Sequence, residues 1–382
     1  MAFKDIQKGP VDIMYHIKVM ADADKSPKSV DLGVGVYRNQ NGEYNELEVL
    51  KKFLENAAQV IFGQSAPVLG DKKVASVQTI SGTGSIHIAL MFLKHCLPDK
   101  KRHVYIGTPT WGNYEPMCRL VGLESMTYNY YNSASGQVDF ESVLDAIRTS
   151  EPGSVFILQA CCHSPTAADF SKEQWHILAK ELVEHDILPL FDIAYQGMGK
   201  GIDEDAYGIR YFAEQGFEMF VCQSFSKNFG LYGERTGALH VVCASEHEVA
   251  PVHDQLRCLI RWEFSSSPAY GSRLVNLVLS DPAQELSWRN ELASIRSRLQ
   301  SLRKEFRHLL VDVYKIPGNW SVIESGSGLF SFLPLTPVQC KALQEQHHIY
   351  MVPNGRITIS GLTETNIEYV VQCIAKVVIG QQ

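Results

Sequence analysis

The sequence predicts an α/β protein in which helices cover a mainly parallel sheet and a smaller unit follows at the C-terminal end. Three observations carry that expectation. Apolar runs that read as strands alternate with helical periodicity from about residue 75 to 245, the pattern of a parallel sheet. Within 219–243 a polar loop centred on Lys227 joins two apolar runs, in the manner of strand, loop and strand. A charged amphipathic stretch over 287–314, with Leu292, Ile295, Leu299, Leu302, Phe306 and Leu309 on one face, reads as one long helix linking the two units.

Composition sets the outer limits. The 382 residues are 45% hydrophobic and 20% charged, as expected of a soluble globular chain large enough for two or three domains or for one large α/β domain with an appendage. A net charge of -7 without a basic cluster argues against nucleic acid or an anionic membrane as the main partner. The first ten residues show neither an apolar signal core nor a transit pattern, and no later run is long enough to span a bilayer, so the expected location is cytoplasmic. The nine cysteines form no C-x-x-C arrangement, and neither a metal site nor a disulfide framework is expected.

Taken in order, residues 1–30 are polar and mixed, with one short helix expected around Val11 to Met20. Val30 to Arg38 is an apolar run with two glycines, where Gly35 lets the backbone come close to a ligand or simply ends a strand in a turn. Leu47, Leu50, Leu54, Ala57, Ala58 and Ile61 have helical spacing. Gln78 onward reads as a strand, a turn containing Ser81, Gly82 and Thr83, and an apolar helix. Such a turn offers backbone N–H groups to a phosphate, or is a simple capped turn. His103 to Tyr114 is a strand ending in a loop with Trp111, either a flat surface for an aromatic ligand or a core aromatic. Ser154 to Ala167 is a buried-type strand followed by a loop with Ser164. Asp186 to Gly199 places Asp192 at the end of an apolar strand, as partner of a cationic ring or as a turn aspartate. Arg261, in the run from Leu259 to Gly271, reads on its own as a surface salt-bridge residue. Beyond the long helix come an apolar run after Gly328, a helix from Pro337 to His347, and a strand-like Gly-Arg-Ile containing Arg356.

Chemistry concentrates at Lys227. An amine seated among Ser224, Ser226 and Arg235 between apolar flanks has its pKa lowered by desolvation and by the neighbouring cation, which makes it a nucleophile toward a carbonyl. The hydroxyls and the arginine suit an anion such as a phosphate, and pyridoxal phosphate combines an aldehyde with a phosphate. Ser224-Phe-Ser-Lys227 also matches the S-x-x-K of penicillin-binding serine hydrolases, but the S-D-N and K-T-G that must follow are absent.

Ser-Phe-Ser-Lys-Asn-Phe-Gly-Leu-Tyr-Gly-Glu-Arg over 224–235, Ser-Gly-Thr-Gly over 81–84, Thr-Trp-Gly-Asn over 110–113 and Asp-Ile-Ala-Tyr-Gln-Gly over 192–197 together resemble the aspartate aminotransferases. That family belongs to fold-type I of the pyridoxal-phosphate enzymes. The resemblance runs from about residue 9 to 375 with one apparent deletion. It implies a seven-stranded, mainly parallel sheet in a large domain over 46–290. An N-terminal arm over 1–45 and a small α+β domain over 291–382 complete the expected organisation.

It implies a Schiff base between Lys227 and pyridoxal 5'-phosphate, with Ser81, Gly82, Thr83, Ser224, Ser226 and Arg235 on the phosphate. Trp111 would lie on the ring, Asp192 at the pyridine nitrogen, and Tyr195 and Ser164 at the phenolic oxygen. Gly35 would border the substrate. Arg356 would hold the substrate α-carboxylate, and Arg261, reaching over from the neighbouring subunit of a homodimer, would read a second carboxylate. The chain departs from the family where Ser164 stands for an asparagine, Ala167 for a glycine, Tyr114 where relatives often have histidine, and Ser266-Ser-Pro268 for the Asn-Pro-Pro of many relatives. The tyrosine that in relatives reaches the neighbouring subunit's cofactor phosphate has no evident counterpart.

The function that follows is transamination between an amino acid such as aspartate or glutamate and a 2-oxo acid, with Lys227 as the proton carrier. The departures leave two alternatives: a decarboxylase, lyase or β-replacement enzyme of the same fold, or an inactive relative.

Overall fold

A computed structural model describes residues 2–9, 17, 20, 23, 24, 26, 52–97 and 102–380. The expectations for Val30 to Arg38, Gly35, most of the N-terminal helix, and Leu47 and Leu50 of the next helix lie outside the described residues.

The first described helix, α1 (Phe53–Phe62), buries Phe53, Ala57 and Ile61, which fall on one face at helical spacing. The central sheet has seven strands in the order β1-β9-β8-β7-β6-β2-β3. These are β1 (Val74–Ile80), β2 (His103–Thr108), β3 (Glu124–Asn129), β6 (Val155–Gln159), β7 (Leu188–Ile193), β8 (Met219–Ser224) and β9 (Thr236–Val242). A small hairpin of β4 (Tyr131–Asn132) and β5 (Gln137–Val138) interrupts the series. From β3 through β8 neighbouring strands run parallel, and β9 is antiparallel to both β8 and β1.

Strand residues alternate between two cores because successive side chains leave opposite faces of a sheet. Phe191, Ile193, Met219 and Val221 enter one core with Trp175, Ile209 and Phe212. Leu188, Leu190, Phe220 and Cys222 enter the other with Ile86, Phe92 and Leu256. Burial on both faces explains why these strands read as continuous apolar runs. Each fully buried aromatic contributes about 1.5–3 kcal/mol through area removed from water. The covering helices are α2 (Ser81–Cys96), α3 (Tyr114–Val121), α4 (Phe140–Thr149), α5 (Lys172–Glu184), α6 (Tyr207–Glu214), α7 (Glu246–Glu263) and α8 (Ala269–Leu279).

The long helix is α9 (Pro282–His308), and it starts five residues earlier than the apolar periodicity suggests. Asp281 caps it by accepting from the backbone N–H groups of Ala283 and Gln284, and Pro282 suits the first helical turn. At its far end the helix widens to a π-helical turn over Leu309–Val313. Beyond it a separate core gathers Leu299, Phe306, Trp320, Leu343, Ile359 and Val371. This core lies between α9, α10 (Pro337–His347), α11 (Ile367–Ile379) and the antiparallel pair β10 (Phe330–Phe332) and β11 (Arg356–Thr358).

From β2 the chain turns to β3 on one side, whereas from β6 it proceeds to β7 and β8 on the other. The direction of winding therefore reverses between β2 and β6, which opens a crevice at the carboxyl ends of the strands. The segments carrying Trp111, Ser164, Tyr195 and Lys227 all follow these strand ends.

Candidate active site

One pocket above the sheet is lined by Ser81, Gly82, Thr83, Trp111, Ser164, Asp192, Tyr195, Ser224, Ser226, Lys227 and Arg235. It thus brings together eleven of the residues singled out from the sequence. Gln159 and Tyr232 line it as well.

At one end sits a cluster of hydroxyls. Ser81 Oγ is 2.7 Å from Ser226 Oγ and 3.2 Å from Ser224 Oγ. The expected turn between β1 and its helix is absent: α2 begins at Ser81, directly after Ile80, with Ser81 in the left-handed region at φ 64. No side chain caps this helix, so its first N–H groups remain available to an anion, and the helix dipole favours one there. The abrupt junction is allowed by Gly237 on β9. A Cβ there would lie 2.5 Å from the Ser81 carbonyl carbon and 2.7 Å from the Gln223 carbonyl oxygen. Arg235 joins the same end, donating to the Tyr232 carbonyl at 2.9 Å.

At the other end Asp192, the penultimate residue of β7, is buried. Tyr114 Oη donates to its Oδ2 at 2.6 Å, while Oδ1 is buried without a hydrogen-bond partner among the described residues. Burial pushes the Asp192 carboxyl up from 3.8 to about 6, and the Tyr114 hydrogen bond and Lys227 oppose the rise. A buried carboxylate oxygen left bare in this way asks for a cationic or N–H partner.

Lys227 lies between the two ends. Its Nζ sits 5.1 Å from the centroid of the Tyr195 ring, in cation–π contact. Burial lowers its pKa and Arg235 adds to the effect, while Asp192 works against it, so the desolvation expected from the sequence is present. Tyr195 is buried, and burial followed by Asp192 raises its hydroxyl above the ordinary phenol range. Trp111 meets Tyr114 edge to face at 5.3 Å between centroids.

Arg356, at the start of β11, stacks its guanidinium 4.4 Å from the Phe330 ring centroid, and Phe330 meets Tyr195 edge to face at 5.8 Å. The C-terminal unit thereby brings a cation to the pocket's edge, close enough to Tyr195 to oppose the rise that burial causes in its pKa. Arg261 is not brought there. It is exposed in the last turn of α7, with Nη1 donating to Ser265 Oγ at 2.5 Å.

Tyr114, Gln159 and Tyr232 contribute to the site without being identified as site residues from the sequence. Tyr114 stood out only as a departure from relatives. Gln159 carried no signal, yet its side chain accepts from Ser164 N at 2.8 Å and donates to Ser164 O at 3.1 Å and Thr110 Oγ1 at 3.3 Å. Gln159 lies beside Asp192 in register, so it ties the Ser164 loop to the strand that bears the carboxylate. Gln159→Ala should lower stability by about 1–3 kcal/mol, because the Ser164 backbone groups lose their partner, and the shift in denaturant midpoint measures it. Ala167 keeps the left-handed backbone, at φ 58, that a glycine adopts more readily.

The family model described as aminotransferase class I and II matches residues 36–374. An aminotransferase of Hapsidospora irregularis, tasG, is 52% identical over 99% of this chain and 97% of its own length. Two solved structures superpose with a TM-score of 0.83. The cytoplasmic aspartate aminotransferase of Saccharomyces cerevisiae shares 36% identity and is matched over 100% of this chain and 99% of that one. The aromatic-amino-acid aminotransferase of Burkholderia pseudomallei, covalently bound to pyridoxal phosphate, shares 32% over 99% and 100%.

Proposed function

We propose, the chain belonging to the class I and II aminotransferases and among them to the aspartate aminotransferase family, that it transfers the amino group of a dicarboxylic amino acid to a 2-oxo acid. The enzyme class is settled by that membership, and pyridoxal 5'-phosphate is its cofactor. That membership favours amino-group transfer over the decarboxylation, elimination, replacement or inactivity that the departures at Tyr114 and Ser164 left open.

The residues present fit that cofactor. Ser81, Ser224, Ser226, Arg235 and the bare N-terminus of α2 would hold the phosphate, and the unpartnered Oδ1 of Asp192 is suited to a protonated ring nitrogen. Trp111 would cover the ring, and Tyr195 with Ser164 would serve its phenolic oxygen. The bound cofactor supplies an aldehyde for the amine and a ring that accepts electrons. The single observation that carries the assignment is the joint presence of a desolvated Lys227 and a half-satisfied Asp192 in one pocket.

The chain's own groups then divide the work. Lys227, its proton affinity lowered by burial, would take the proton from the substrate α-carbon and carry it on Nζ. Asp192, with Oδ1 unpartnered, would hold the ring nitrogen as a carboxylate. Arg356 orients the substrate by its α-carboxylate, with Phe330 beneath the guanidinium fixing the fork. Arg356→Lys should therefore raise KM for the amino acid and lower kcat/KM by about tenfold or more, because an ammonium cannot make the bidentate contact.

The dicarboxylic preference rests on Arg261. Its exposure, together with that of Trp262 next to it in the chain and of Tyr270 in α8, which are 64% and 62% exposed, supports a second copy of this chain covering these side chains and receiving the arginine in its own pocket. Single-turnover absorbance changes with aspartate, glutamate, phenylalanine and tyrosine test this reading. The expectation is that the two acidic amino acids react at least about tenfold faster, and that Arg261→Ala removes the difference. Faster reaction of the aromatic amino acids would assign the substrate to that class instead.

A further inference from the structure

The hydrogen bond between Tyr114 and Asp192 has a consequence for the cofactor's electronics. Tyr114 is the first residue of α3 and is 1% exposed. Its ring is held edge-on by Trp111, and its hydroxyl donates to Asp192 Oδ2 at 2.6 Å. The groups that face Asp192 are Tyr114, Lys227, Tyr195 and Cys222, and Lys227 is the only cation among them. With Oδ2 occupied by Tyr114, Oδ1 is the oxygen left bare.

We infer that Tyr114 is a positioning residue that holds Asp192 ionised and turned so that its bare oxygen meets the cofactor's ring nitrogen, an inference that rests on the assignment of Asp192 to that nitrogen. The physical reason is the kind of donor. Burial and the carboxylate beside it raise the Tyr114 hydroxyl well above 10, so it keeps its proton over the working pH range and stays a neutral donor. An imidazole in this place can add or lose a proton and change the charge of the pair; a phenol cannot at these pH values. Tyr114 therefore stabilises the carboxylate without cancelling its charge, and the full negative charge remains to keep the ring nitrogen protonated.

Without the hydroxyl, Asp192 would be the stronger base and would compete with the ring nitrogen for its proton. The electron-accepting capacity of the ring then falls although Lys227 and Arg356 are untouched.

The test loads the full-length enzyme with pyridoxal phosphate labelled with nitrogen-15 in the ring and follows the ring-nitrogen chemical shift together with the half-reaction with aspartate. In Tyr114→Phe the signal should move from the pyridinium position toward that of neutral pyridine, and the half-reaction should slow by about tenfold or more. Tyr114→His, which keeps a donor at this place, should retain more of the pyridinium position than Tyr114→Phe, and it serves also if the phenylalanine variant does not fold. A Tyr114→Phe signal at the wild-type position with a half-reaction within about twofold of wild type would overturn the inference. Asp192→Asn separates the two levels. If it moves the signal and Tyr114→Phe does not, only the role of Tyr114 falls; if it leaves the signal in place, the assignment of Asp192 falls as well.

Discussion

Lys227→Ala should abolish amino-group transfer, with turnover falling by about 10^4-fold or more, the largest effect expected of any single change in this protein. Two losses combine. The variant has no amine to capture the cofactor's aldehyde, and it has no group at this place to carry the proton at the substrate α-carbon. Among the described residues no other lysine lines the pocket, so none can take over. The visible absorbance of the loaded protein, recorded before and after aspartate, reads the first loss, because a lysine-bound cofactor absorbs differently from free aldehyde. Turnover with added small amines reads the second, since an exogenous base can restore part of the proton transfer without restoring the covalent link. Retention of the wild-type spectrum and rate would remove Lys227 from the mechanism.

Asp192→Asn should act in opposite directions on activity and on stability. Activity should fall by about 10^2- to 10^3-fold, as expected for removal of a preorganised charge opposite a developing one. Stability of the cofactor-free protein should rise. The Asp192 carboxyl is pushed from 3.8 in the unfolded chain to about 6 in the folded one, so the folded state holds its proton more tightly. Two pKa units correspond to about 3 kcal/mol, and because the folded pKa is the higher one, the charged form is the destabilising form.

The destabilisation is fully present above pH 6 and disappears as pH falls through 6 toward 4. Thermal unfolding of the apoprotein at pH 7.5 should therefore give a higher Tm for Asp192→Asn than for wild type, with the gap closing toward pH 4.5. Saturating cofactor should reverse the order, since only the carboxylate gains a partner for Oδ1. An apoprotein Tm for Asp192→Asn below that of wild type at every pH would show that Asp192 is not under desolvation strain.

Much of the site is legible in the sequence, for reasons that differ by residue. The strands around Asp192 and Lys227 were legible because burial on both faces makes them continuous apolar runs, which few other segments produce. The helix α9 was legible by its periodicity, but its start was misplaced, because Asp281 caps through a hydrogen bond rather than through an apolar position. Ser81, Gly82 and Thr83 were found as a turn and prove to be the opening turn of α2 itself. The left-handed backbone at Ser81 depends on Gly237, more than 150 residues away in the chain, and no local pattern reports such a contact.

The sequence by itself determined the local chemistry: which lysine sits between apolar flanks, which carboxylate ends a buried strand, and which hydroxyls and arginine accompany them. These are properties of short segments, and short segments carry them through periodicity and residue type. Only the tertiary structure decided how those groups act on one another. It sets Tyr114 on Oδ2 of Asp192 and leaves Oδ1 bare, ties the Ser164 loop through Gln159, brings Arg356 from the C-terminal unit to Tyr195, and keeps Arg261 outside its own chain's pocket. Hydrogen-bond partners and desolvation depend on distance in space, and between residues 78 positions apart, as Tyr114 and Asp192 are, that distance is set by sheet order rather than by any pattern along the chain.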